Sequence, residues 1–116
     1  MKQSFLLFLT LVGLTIFTPH TAYSLTMSQF MKICESSTKS CEEQPLLNAY
    51  VGGALDVIAV LDEESSYLDG LYCLEPSGLF DVKAIIGFMQ AHHRDYADKN
   101  AMLLVVRYLR ENGGCQ

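Results

Sequence analysis

Apolar side chains along residues 25–116 recur at three- and four-residue intervals, the spacing of helices that each bury one face. Four segments carry the pattern. The first covers residues 28–34, with Phe30, Met31 and Cys34 on one side. Residues 36–40, Ser-Ser-Thr-Lys-Ser, then predict a loop, because serine and threonine hydroxyls compete with the helical backbone for hydrogen bonds. The second helix begins at Pro45, a residue suited to a first helical turn, and runs to Leu61. Leu46, Leu47, Tyr50, Val51, Ala54, Val57, Ile58 and Leu61 give it a wide apolar face. Gly52 and Gly53 interrupt it, each at a cost of about 1 kcal/mol against alanine. That cost predicts either close approach of another helix or a kink.

The periodicity fails over residues 62–78, where Gly70, Pro76 and Gly78 punctuate a long connection. A third helix follows, capped by Ser77 or Asp81, with Val82, Ile85, Ile86 and Met89 facing inward. Asp95 is the expected N-cap of the fourth, which carries Ala101, Leu104, Val105, Tyr108 and Leu109. Asn112-Gly113-Gly114 ends it, since glycine accepts the left-handed conformation that closes helices. Arg107 and Arg110 near that end suit the helix dipole. No segment alternates as a strand would. The expectation is an all-α, four-helix domain without a sheet.

The beginning of the chain reads differently. Lys2 precedes an unbroken apolar-rich run over residues 5–17, Pro19 follows, and Ala22-Tyr23-Ser24 places small residues where a signal peptidase cuts. The run is shorter than the ~20 residues of a membrane span, so residues 1–24 are expected to be a cleavable export signal. Residues 25–116 then form the single mature domain, with no membrane attachment after cleavage. Lys2 is the only charge in the leader, which leaves seven basic and thirteen acidic side chains and a net charge of −6. An acidic domain of this kind is a poor candidate for nucleic acid, because phosphate binding needs a clustered basic surface. A basic protein partner suits it better.

All four cysteines lie beyond the leader, and an exported chain meets an oxidising compartment. Four cysteines allow three pairings. In a continuous helix Cys34 and Cys41 would stand ~10 Å apart, beyond disulfide reach, but the serine-rich segment lets the chain turn between them. Cys73 precedes the third helix and Cys115 follows the fourth, so packing of those two helices brings the pair together. The predicted bonds are Cys34–Cys41 and Cys73–Cys115. Zinc is disfavoured because no C-x-x-C pair exists.

No catalytic constellation emerges. His92 and His93 are adjacent, so they diverge on a helix, and the i, i+4 histidine pair of a metalloprotease is missing. Near a helix C-terminus they suit the dipole. No G-x-S-x-G elbow places a serine beside a base, and no metal or cofactor is expected. The 62–78 connection is the better candidate for function. It combines Asp62, Glu63, Glu64, Asp69 and Glu75 with Tyr67, Leu68, Leu71 and Tyr72, which is either a protein-binding surface or a cover for the core.

The chain resembles the Rap/Tai family of immunity proteins, small periplasmic proteins that protect bacteria from type VI secretion amidase effectors. The matching residues are Tyr50-Val51-Gly52-Gly53-Ala54-Leu55-Asp56 and Tyr72-Cys73-Leu74 with Pro76 close behind. Phe88-Met89 with His92, the helix over residues 101–109 and Cys115 complete the match. Asn48 and Ala49 stand where the family often has a cysteine before the tyrosine, and His93 stands where a proline is common. The resemblance implies a non-catalytic, homodimeric inhibitor that occludes the cleft of a peptidoglycan amidase. On that reading Glu63, Glu64, Tyr67, Asp69 and Tyr72 are the first candidate contacts, and the turn at His92, Arg94 and Tyr96 is the second. The competing expectation is a periplasmic stress chaperone or another disulfide-bonded binding protein.

Overall fold

Thr26 starts the first helix by a reciprocal cap: its hydroxyl accepts from the Gln29 N–H and the Gln29 side chain accepts from the Thr26 N–H. The computed structural model describes residues 24–115, so the expected leader lies outside the described residues except for Ser24. Helix α1 spans Met27–Glu35 and buries Met27, Phe30 and Cys34. It stops where serines begin, at the Ser36 cap, and the chain turns into a short 3-10 helix, Cys41–Glu43. The turn brings the Cys34 and Cys41 Cα atoms to 4.8 Å and the disulfide forms.

Helix α2, Pro45–Glu64, runs through Gly52 and Gly53 without interruption. It buries Leu47, Val51 and Leu55. The wide face expected from the sequence is therefore divided: Leu46, Val57 and Leu61 are exposed. A Cβ on Gly52 or Gly53 would meet no atom within 4 Å, so among the described residues no other helix approaches them. One-turn helix α3, Pro76–Leu79, inserts Leu79 into the core.

Asp81, rather than Ser77, caps helix α4 (Val82–His92), its carboxylate accepting from the Lys83 and Ala84 N–H groups at 3.0 and 3.1 Å. Ile85, Ile86 and Met89 are fully buried, and α4 packs against α2, α5 and the Cys41–Glu43 turn. Asp95 does not cap the last helix. It belongs to a 3-10 helix, His93–Tyr96, because residues 97–101 are drawn into pairing with the start of α1. Met27 and Ser28 donate to the Lys99 and Ala97 carbonyls, and Ala101 donates to Leu25, each at 2.9 Å. Helix α5, Met102–Asn112, then begins with the Asn100 side chain accepting from Met102. Cys73–Cys115 closes the fold at a Cα separation of 5.0 Å. The described residues form an all-α domain with both predicted disulfides and no sheet, four long helices plus the single turn of α3.

Candidate partner-binding face

The segment after α2 is a fixed loop rather than a loose connection. Ser65 ends α2 by returning its N–H and hydroxyl to the Leu61 carbonyl. Two turns follow, closed by Asp69 N–H to Ser66 and Leu71 N–H to Leu68, with Gly70 in the left-handed region at φ 86°. The returning strand is held to the end of α5. Cys73 and Leu74 both donate to the Gly113 carbonyl, at 2.7 and 2.9 Å, beside the Cys73–Cys115 bond.

This anchoring separates the two tyrosines. Tyr67 stands at the tip with 92 % of its surface exposed, whereas Tyr72 is buried at 8 %. The Tyr72 ring packs edge-on against Phe80 at 5.3 Å. Burial first, then the Asp62 carboxylate on the last turns of α2 and the nearby Glu63 charge, push the phenol above its ordinary value. Tyr72 therefore covers the core, whereas Tyr67 stands free at the surface. A raised phenol contributes stability that is complete below pH 10, its unfolded value, and is lost as pH rises through the folded one. Urea melts at pH 8 and pH 10.5 are expected to show a larger loss for the wild type than for Tyr72→Phe.

The second candidate segment lies on the far side of α5. His92 is half-buried against Phe88, ring centroids 4.1 Å apart, and its Nδ1 donates to the Phe88 carbonyl at 2.9 Å. His93 Nδ1 likewise donates to the Gln90 carbonyl at 2.6 Å. Both rings thus close their own helix end. Arg94 is exposed. Tyr96 faces α5, with Lys99 Nζ 4.8 Å from its ring centre and the Arg107 guanidinium 6.0 Å away. Arg107 is held between Tyr96 and Phe88 and bonded to Glu111 at 2.6 Å, a contact that raises its already high pKa.

Helix α5 joins the two segments. A hollow of about 300 Å³ is lined by Tyr67, Leu68, Asp69, Gly70, Leu71, Val106 and Arg110. A second, of about 460 Å³, lies among Tyr96, Lys99, Leu103, Val106, Arg107, Arg110 and Glu111. Val106 and Arg110, one helical turn apart, wall both. Tyr67, Asp69 and Tyr96 therefore share one face with the outward side of α5. Glu63 and Glu64 do not line it; they stand exposed on the last turn of α2. The sequence signal for α5 was present, since Leu103, Val106, Arg107 and Arg110 follow i, i+3, i+4, i+7 spacing. Reading the arginines as dipole partners concealed it.

Four of the seven basic side chains beyond the leader, Arg94, Lys99, Arg107 and Arg110, occur in this stretch. The face is thus a tyrosine tip and an apolar floor with fixed charges of both signs. Among the described residues no three metal-ligating side chains gather, and all four cysteines are bonded. Searched against family models, curated proteins and solved structures, the chain matches none. The two disulfides suit an oxidising, extracellular-type environment.

Proposed function

We propose that the chain is a periplasmic immunity protein. Exported through a cleavable leader, it binds a peptidoglycan amidase delivered by type VI secretion, occludes the catalytic cleft and protects the producing cell and its kin. It works by complementarity, without chemistry of its own, and as a homodimer. The observation that carries this reading is the exposure of Tyr67 at the tip of a loop fixed at its base by Cys73–Cys115 and the Gly113 carbonyl. A plug must arrive with its shape already set, because ordering a loop on docking costs affinity. The family resemblance of Tyr50 to Asp56 and Tyr72 to Leu74 supplies the kind of partner.

A stress chaperone is the second reading, favoured by the exposed apolar side chains of α2. Titration separates the two. An immunity protein abolishes cross-link hydrolysis at one binding site per amidase, whereas a chaperone suppresses aggregation of unrelated unfolded proteins. Tyr67→Ala and Arg110→Ala are each expected to weaken amidase binding by about 10- to 100-fold, as truncation of central aromatic and arginine anchors does. Glu63→Ala, away from the hollows, is expected to change it less than about twofold. Calorimetry showing unchanged affinity for both Tyr67→Ala and Arg110→Ala would exclude this face.

A further inference from the structure

Charge is unevenly spread along this chain. Over residues 25–81 ten acidic side chains stand against two basic ones, whereas over residues 82–116 five bases stand against three acids. The net charge of −6 beyond the leader therefore belongs to the first part, and the second part is net positive. The fold gathers that surplus in one place. Lys99, Arg107 and Arg110 all line the hollow of about 460 Å³ on the outward side of α5. Its floor is apolar, with Leu103 47 % exposed beside Val106.

We infer that this hollow takes an acidic segment of a protein partner, a carboxylate beside an apolar side chain, with Lys99 and Arg110 as the cations that meet it. The inference rests on the docking face proposed above and names the chemistry of what docks there. The one ion pair among the described residues joins Arg107 to Glu111 at 2.6 Å, so the acid of this lining is already neutralised. Lys99 and Arg110 are exposed and unpaired. The Tyr96 ring, 4.8 Å from Lys99 Nζ, holds that ammonium at the rim without cancelling its charge. Arg110 walls both hollows and offers the planar fork that suits a carboxylate. The apolar floor takes the rest of the docking segment.

Other occupants fit less well. A basic segment would meet two free cations here, and the acidic end of α2, at Asp62, Glu63 and Glu64, is the better place for one. Nucleic acid and an anionic membrane surface are polyanions that need a row of cations. Two unpaired ones, with Asp69 lining the adjoining hollow and a net charge of −6 behind them, do not supply it. One or two carboxylates are what this hollow can neutralise. The overall charge still favours encounter with a partner that is basic as a whole, and the hollow selects where that partner's carboxylates lie.

The test uses the full chain, expressed with its own leader, purified oxidised and isotope-labelled, with amide shifts followed by NMR. The probe is a short peptide alternating glutamate with tyrosine, compared with the same peptide carrying glutamine for glutamate. The acidic peptide is expected to move the amides of Lys99, Leu103, Val106 and Arg110, and the glutamine peptide to bind at least about 10-fold more weakly. Lys99→Glu with Arg110→Glu is expected to weaken the acidic peptide by at least about 10-fold while circular dichroism stays native. Lys32→Glu with Lys83→Glu makes the same change of net charge at exposed positions outside the hollow, and is expected to alter binding less than about twofold. Equal binding of the two peptides, shifts centred elsewhere, equal losses in the two double variants, or no binding at millimolar peptide would each overturn the proposal. So would tighter binding of a single-stranded oligonucleotide. No amidase enters the measurement, so its failure leaves the amidase-binding face standing, and failure to capture an amidase leaves the carboxylate site standing.

Discussion

Replacing Cys73 and Cys115 with serine is expected to remove about 4 kcal/mol of stability, and replacing Cys34 and Cys41 about 2 kcal/mol. The difference follows from the chain each bond closes, 42 residues against 7, because the longer closure removes more freedom from the unfolded chain. Domains of this size are stable by only about 5–15 kcal/mol, so the first change removes a large fraction of the total. The melting temperature is expected to fall by roughly 15–30 °C. The effect is also local. Cys73 lies between Tyr72, which seals the core, and Leu74, whose N–H shares the Gly113 carbonyl with that of Cys73. Freed of Cys115, the base of the Tyr67 loop is held by those two backbone bonds, so partner affinity is expected to fall with stability. Denaturant melts of the two double-serine proteins check the order; equal losses, or the reverse order, would contradict it.

Gly113→Ala is expected to cost about 3–5 kcal/mol, although its φ of −75° is one that alanine adopts freely. The obstacle is space. A Cβ at 113 would collide with the Leu109 carbonyl oxygen and lie 2.6 and 2.7 Å from Tyr72 Cβ and Cα. These atoms are backbone or fixed directly to it, so overpacking of about 1–3 kcal/mol cannot be relieved by a rotamer change. Moving the turn away would also stretch the bonds from Cys73 and Leu74 to the Gly113 carbonyl, each contributing about 1 kcal/mol. The check is the urea midpoint of Gly113→Ala against the wild type. A shift smaller than that of the Cys34–Cys41 double-serine protein would mean the turn has slack the contacts do not show.

The helices were legible because burial imposes a 3.6-residue period, and Ile85, Ile86 and Met89 kept to it. The disulfides were legible because serines 36 and 37 cannot comfortably prolong α1, which left Cys41 free to turn back. Other features depend on partners distant in sequence. Periodicity marked Leu46 and Val57 as apolar but could not say that α1, α4 and α5 cover only the other side of α2. Asp95 has cap chemistry, yet pairing of residues 97–101 with residues 25–28 delays α5 until Met102. Tyr67 and Tyr72 look alike in composition. Only the two turns through Gly70 and the Gly113 anchor send one outward and the other in.

The central claim is that one secreted enzyme is this domain's natural ligand. The most direct measurement immobilises the oxidised protein, passes cell lysate and secreted fractions of the producing bacterium over it, and identifies what is retained by mass spectrometry. The account predicts one dominant peptidoglycan amidase, held stoichiometrically, inactive while bound and retained far less by immobilised Tyr67→Ala protein. Retention of many unrelated proteins, in amounts that rise after acid or heat treatment, would contradict it and assign the domain to a chaperone role.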